Sequence, residues 1–303
     1  YSGGSWDRSV LTAEVGGPAE FGGKPLGYYV YGEVEHSGSF YTNAPGVNQS
    51  LVQASFDMDL SDTVRLQFGG MLHDYQGSQN AGWNRLTQDL IDTGTYITGT
   101  PIPLDTSGDG FISHDEYYAG DVNPFALYAF FCQKDIDLAP LSDASFGDDY
   151  ENSNLILQNV GTAKLPMSST LIAADDLLEN KVTTLYFDVD MSLANDWTLT
   201  NKLFYEDYEN LNENAYGFSQ FHDASVIEEQ LILSRVFEGD ALTTSVQISP
   251  SIRQTKFEHG DDYYNEYFSR RDLTGPSTAL DRRVLSTRID AEYSEYYVGE
   301  YTD

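Results

Sequence analysis

Val52-Gln-Ala-Ser-Phe-Asp-Met-Asp-Leu60 is the stretch that decides the fold. Val52, Ala54, Phe56, Met58 and Leu60 alternate with Gln53, Ser55, Asp57 and Asp59. An extended strand turns successive side chains to opposite faces, so this period of two makes one face apolar and the other polar. After Ser61-Asp62 the pattern resumes, with Val64, Leu66, Phe68, Gly70 and Leu72 against Arg65, Gln67, Gly69 and His73. Two such runs around a short polar turn predict a β-hairpin.

The same alternation spreads outward from this hairpin. It is present over Tyr28–Val34, Leu185–Leu193, Trp197–Tyr205, Leu242–Ile252 and Leu285–Tyr293, with weaker runs near 6–15 and 226–237. The count is about nine strands. A soluble sandwich would bury the apolar face, whereas a membrane barrel turns it to lipid and keeps the polar face in the lumen. Three features favour the barrel. The strands reach about ten residues, the length that spans a bilayer. Acids and bases recur mid-strand on the polar face. Tyr28, Tyr29, Trp197, Tyr205, Tyr208, Tyr293, Tyr296 and Tyr297 gather near strand ends, as in an interfacial girdle. The expected fold is all-β: an antiparallel transmembrane β-barrel, with residues 1–303 forming part of a single barrel domain.

Connection lengths orient it. Turns at Ser61-Asp62, Asn195-Asp196 and Gly239-Asp240 are short, while the connections over 38–49, 76–181, 209–225 and 256–282 are long. In outer-membrane barrels the short turns are periplasmic and the long loops extracellular. The Gly16–Gly27 stretch then reads as a further short-end turn. An odd strand count cannot close a bacterial single-chain barrel. The chain also starts at Tyr1 with no signal peptide, so it reads as a mature piece of a larger barrel.

Composition sets outer limits. Sixteen basic against 48 acidic residues give a net charge of −32, which excludes a phosphate-neutralising nucleic-acid surface. The 22 Tyr, 16 Phe and 40% apolar content speak against disorder. A lone Cys132 allows no internal disulfide and reads as a buried or idle thiol. No apolar run is long enough for a membrane helix, which leaves strands as the route across a bilayer.

The connection over 76–181 is too long for a passive linker. It is expected to hold a short helix around Trp83–Ile91 and, beyond it, a calcium loop over 105–116, Asp-Thr-Ser-Gly-Asp-Gly-Phe-Ile-Ser-His-Asp-Glu. In the EF-hand pattern Asp105, Ser107 and Asp109 are ligands 1, 3 and 5, and Gly110 makes the sharp turn. Phe111 offers its carbonyl, Ser113 a ligand through water, and Glu116 a bidentate carboxylate. A hard cation that takes 6–8 oxygens suits this set. Pro101 and Pro103 oppose an entering helix, so the site is expected to be a single structural calcium staple rather than a paired sensor.

The Gly16-Gly17-Pro18 turn, the strand Tyr31–His36 leading to Ser39-Phe40-Tyr41, the segment Asp59–Val64, and Asn80–Tyr96 followed by the calcium loop together resemble the TonB-dependent outer-membrane receptors. The resemblance covers roughly residues 5–116; later hairpins match in style. It implies a barrel of about 22 strands closed by an N-terminal plug. It also implies capture of a scarce ligand (a ferric siderophore, cobalamin or a glycan) driven through the periplasmic protein TonB. The sequence itself carries no recognisable plug, energy-coupling box or closing strand.

Other chemistry is weak. His36, His73, His114, His222 and His259 form no ligand spacing. The acidic pairs Glu228-Glu229 and Asp261-Asp262 are expected by chance among 48 acids, and no catalytic constellation is present, so no enzyme is expected. Tyr263, Tyr264, Tyr267 and Phe268 could stack on a ligand at the extracellular mouth or belong to an interface belt. Two other functions compete with the receptor: a passive outer-membrane porin, which calls for shorter loops, and a soluble calcium-stabilised β domain of an adhesin, which would bury the apolar face.

Overall fold

The computed structural model describes residues 1–42, 44–79, 88–101, 106–108, 157–170, 172, 176–213, 219–262 and 295–302. They form a broad antiparallel meander. Strands β1 (Ser2–Gly3), β2 (Ser9–Phe21), β3 (Lys24–Ser37), β4 (Val47–Ser61) and β5 (Val64–Gly77) follow one another. Next come a helix α1 (Gln88–Thr93) and a separate two-stranded sheet, β6 (Thr95–Pro101) with β7 (Leu157–Lys164). The large sheet resumes with β8 (Leu177–Ser192), β9 (Trp197–Glu213), β10 (Ser219–Glu238), β11 (Thr243–Ile248), β12 (Ser251–Asp262) and β13 (Glu295–Thr302). Each long strand pairs with its sequence neighbour, β5 joins β8 across the long insertion, and the sheet stays open among the described residues.

The alternation places the two faces as expected. The uncovered face is apolar: Leu11 is 59% exposed, Val52 51%, Leu72 56% and Ile248 57%, values that suit lipid contact and not a core. Phe56 stacks on Phe68 at 5.0 Å between ring centroids, and Phe187 follows at 6.3 Å, all on this face. The band is interrupted on β9 and β10 by Asn201 and Glu229, whose amide and carboxylate meet at 3.0 Å.

The band also slants. From Val34, the ladder runs straight across through Ser50, Asp74, Lys181, Glu209 and Asp223 to Glu258. Val34 is the uppermost apolar residue of this face on β3, whereas on β12 it is Ile252, six residues below Glu258. Six residues along the strands, about 20 Å, against six strand spacings, about 29 Å, give a slope of roughly 35°. A flat layer of lipid crossing a sheet of tilted barrel strands produces this slope, because barrel strands tilt by about 35–45°.

The turns at the lower end are short for local reasons. Gly22 and Gly23 have φ of 60° and 77°, the left-handed pair that a two-residue hairpin turn requires. This corrects the expected turn at Gly16-Gly17-Pro18, which lies inside β2 opposite Tyr29, Tyr28 and Gly27. Beyond Val10, β2 has no partner on its other side among the described residues, so the missing N–H of Pro18 costs no ladder bond. Asn195 and Asp196 also adopt left-handed φ, 59° and 58°, which short polar side chains tolerate.

The run read as one strand over 242–252 is split at Pro250 without a change of register: Leu233 faces Ile248 before it and Gln230 faces Ser251 after it. Proline lacks the N–H for the ladder, while its carbonyl still accepts from the Leu231 N–H at 3.0 Å. The expected strand at 285–293 lies outside the described residues, and the strand pairing β12 is β13. β2–β5, β8–β10, the β11–β12 line and β13 make nine long strands among the described residues. Gly69 permits close approach: a Cβ there would clash with the Ala54 carbonyl oxygen, and the Tyr186 side chain lies over the gap.

Candidate functional site

The polar face is the candidate lumen, and its charges come from alternate positions of the same strands. Arg65 on β5 holds Asp57 on β4 with two nitrogens, the shorter contact 2.7 Å, and Gln67 adds a bond to the same carboxylate at 2.8 Å. Lys202 pairs with Asp188 at 3.3 Å and Arg253 with Glu228 at 3.4 Å. Arg8 holds Glu35 at 2.8 Å. The basic partner in each ion pair is about half exposed, so each is worth roughly 0–1 kcal/mol and does not hold the fold together. Their effect is on potential. The described strands place Glu14, Glu33, Glu35, Asp57, Asp59, Asp188, Asp190, Glu206 and Glu228 on this wall against Arg8, Arg65, Lys202 and Arg253. A wall so rich in acid attracts cationic groups and repels anionic ones.

Higher on the same wall a polar shelf forms. The Tyr208 hydroxyl and the Asn210 amide both donate to the Asn180 side-chain oxygen, at 3.1 and 2.7 Å. His222 and His259 face each other across β10 and β12 with ring centroids 3.9 Å apart. His259 Nδ1 lies 2.9 Å from the Phe221 carbonyl oxygen, to which its N–H can donate. Sequence spacing could not show this pair, because the two histidines are 37 positions apart and meet only through strand register. Among the described residues no group of three or more His, Cys, Asp or Glu could hold a metal ion.

Above the shelf the long insertion is organised by its own small core. Tyr96 is 1% exposed, Ile172 2%, Leu90 5% and Leu165 7%, which is complete burial in a chain whose sheet leaves most large side chains open. Among the described residues the helix runs from Gln88 to Thr93, overlapping the expected helix around Trp83–Ile91, and residues 80–87 lie outside the described set. Gly94, with φ of 70°, ends it and returns its carbonyl to the Leu165 N–H at 2.9 Å. Thr42 ties this unit to the loop after β3: its N–H donates to the Ser168 carbonyl at 2.8 Å. The insertion therefore rises from a β6–β7 stem, and the expected calcium loop opens four residues beyond the end of β6. Of its ligands, Ser107 is described, exposed and followed by Gly108 at φ 77°. Asp105, Asp109, Phe111, Ser113 and Glu116 lie outside the described residues, as do Cys132, Tyr263, Tyr264, Tyr267 and Phe268.

Glu228 and Glu229 are consecutive in a strand and so point to opposite faces, toward Arg253 and Asn201 respectively, which agrees with their reading as chance neighbours. Among the side chains that are described, the aromatic girdle is thinner than expected. Trp197 and Tyr205 sit on the apolar face near the ends of its band, whereas Tyr29 and Tyr208 face inward and donate to Glu14 and Asn180. Tyr28 lies within the band opposite Phe56.

No family model matches the chain, and no curated protein matches it in sequence. Solved structures do. The chain is similar to the pyoverdine outer membrane receptor FpvA from Pseudomonas aeruginosa bound to pyoverdine, with a TM-score of 0.53 and 11% identity over 98% of this chain and 35% of that one. It is similar to the siderophore receptor PiuA from Acinetobacter baumannii, with a TM-score of 0.52 and 12% identity over 99% of this chain and 37% of that one. The chain thus spans about a third of the length of these structures. The shared feature is the fold: an antiparallel outer-membrane β-barrel, of which this open sheet is a part.

Proposed function

We propose that the chain is the barrel wall of a receptor in a bacterial outer membrane that takes up a scarce small ligand through TonB-dependent transport. The slanted apolar band carries the reading, because it orients one face to lipid and leaves an acid-rich wall for a lumen. The ligand we favour is a ferric siderophore, since that is the ligand class of the receptors whose fold it shares; cobalamin or a glycan would use the same architecture. The receptor binds and moves its ligand and is not an enzyme. A wall dominated by carboxylates favours ligands that present cationic or hydroxyl groups to it.

The second part of the reading concerns the insertion. Asp105, Ser107, Asp109, the Phe111 carbonyl, Ser113 and Glu116 bind one calcium ion that shapes the loop above the lumen. Gly108, with a left-handed φ of 77°, bends the chain inside this motif directly after Ser107, and the sharp turn that the pattern needs is assigned to Gly110.

The test is uptake of iron-55 by an outer-membrane receptor-deficient strain expressing the full-length protein, offered a panel of ferric siderophores. Uptake of at least one chelate that stops when TonB is deleted supports the receptor. Uptake that persists without TonB would replace it with a passive porin.

A further inference from the structure

Arg235 occupies an outward position on β10, one step up the apolar face from Phe237 and level with Trp197 and Val246 on the flanking strands. Leu231 and Leu233 continue the same face above it. Its guanidinium carbon lies 4.4 Å from the Phe237 ring centroid and 6.0 Å from that of Trp197. The two rings meet edge to face at 6.2 Å. Its Nε is buried and has no hydrogen-bond partner among the described residues. Arg8, Arg65, Lys202 and Arg253 each hold a carboxylate within 4.0 Å. Arg235 has no such partner among the described residues, in a chain of net charge −32. Asp196 and Glu238 are its nearest acidic neighbours along β9 and β10; Glu238 alternates to the opposite face, and Asp196 lies in the turn before Trp197. Neither is within ion-pairing distance.

A permanent cation at the rim of an apolar band, clamped between aromatic rings and lacking a protein counter-charge, needs an anion from outside. Stacking on rings leaves the planar edge of a guanidinium open for a two-pronged contact with an oxyanion. The short-turn end of the band is where the headgroups of the periplasmic leaflet lie. We propose that Arg235, Trp197 and Phe237 form a binding site for the phosphate of a membrane phospholipid at the periplasmic rim of the barrel. The site rests on the outward orientation of this face and is independent of which ligand is transported.

Trp197 serves as the reporter. In full-length protein in which every Trp other than Trp197, including Trp6 and Trp83, is replaced by Phe, its fluorescence is titrated in detergent micelles with phosphatidylglycerol brominated in the acyl chains, with phosphatidylethanolamine brominated likewise, and with brominated diacylglycerol, which lacks the phosphate. Both phospholipids are expected to reach half-quenching at about fivefold lower mole fraction than diacylglycerol, the gain one cation gives at a lipid surface. Arg235→Gln is expected to erase that difference and Arg235→Lys to retain part of it. Curves that coincide for all three lipids, or for wild type and Arg235→Gln, overturn the site while leaving the barrel intact. Displacement of the phospholipid preference by millimolar inorganic phosphate would mean a free-anion site and also overturn it. If none of the lipids quenches Trp197, the outward orientation itself is wrong.

Discussion

The lower and upper halves of the large sheet share one hydrogen-bonded ladder but differ in what their side chains meet. In the lower half, β5 alternates Val64, Leu66, Phe68 and Leu72 with Arg65, Gln67 and His73, and of the apolar members Leu72 is exposed while the others are half-buried. In the upper half the same outward positions carry Ser50, Asp74, Lys181, Glu209 and Asp223, so both faces are polar. Pairing does not stop at the boundary: β9 continues from Tyr205 to Glu213 and β12 from Arg253 to Asp262. Alternation therefore records where lipid lies against a strand, and the backbone ladder records where the strand is. The two coincide only inside the band.

The largest effect should follow from placing a charge in the lower half. Phe68→Arg, at mid-band between Phe56 and Phe187, is expected to destabilise folding by about 3 kcal/mol, the scale for a cation at the bilayer midplane. Ser50→Arg, on the same face of the adjoining strand but above the band, should change stability by less than about 0.5 kcal/mol. Urea titration of the full-length protein in phospholipid vesicles reads both, and equal costs would break the contrast. Gly69→Val comes next, at about 1–3 kcal/mol, because its side chain would enter the space held by the Ala54 carbonyl and Tyr186.

Smaller still is calcium removal. A site of extracellular-module affinity in millimolar calcium contributes about 1 kcal/mol, confined to the insertion. Asp105→Ala, Glu116→Gln or a chelator should speed proteolysis within 78–176 several-fold and leave the sheet's stability unchanged. Equal cleavage with and without calcium would remove the staple from the account. Smallest is Arg65→Ala, which breaks an exposed lumenal pair and should cost no more than about 1 kcal/mol, less at high salt.

These differences also explain what could be read in advance. Eight strands of the antiparallel wall were visible because lipid imposes a period of two on each crossing, whereas the ninth expected run, 285–293, lies outside the described residues and β13 was not read. Strand ends above the band were not, since an ordered strand wetted on both faces has no period to detect; Lys181 and Glu209 carry no signal that distinguishes them from a loop. The Gly16-Gly17-Pro18 misreading has a related cause. These residues usually break structure, but here they lie on a strand edge that asks little of them. The lumenal pairs needed strand register, which composition does not reveal, and Arg235 looked like one more polar residue until its parity placed it among Leu231, Leu233 and Phe237. The calcium loop rests on sequence alone: its six expected ligands fall within the twelve residues 105–116, of which only Ser107 is among the described residues.

The central claim is the slant of the apolar band, and cysteine accessibility tests it most directly. Single cysteines would be placed on a background in which every native Cys, including Cys132, is replaced by Ser, in full-length protein in intact outer membranes, at Val34, Ser50, Val52, Asp74, Leu72, Asp207, Tyr205, Gln254 and Ile252. Reaction with a membrane-impermeant maleimide should be strong at 50, 74, 207 and 254 and weak at 34, 52, 72, 205 and 252, so that the protected edge descends six residues between β3 and β12. Uniform labelling of all nine positions, or an edge that follows one straight row of the ladder, would contradict a barrel wall tilted in a bilayer.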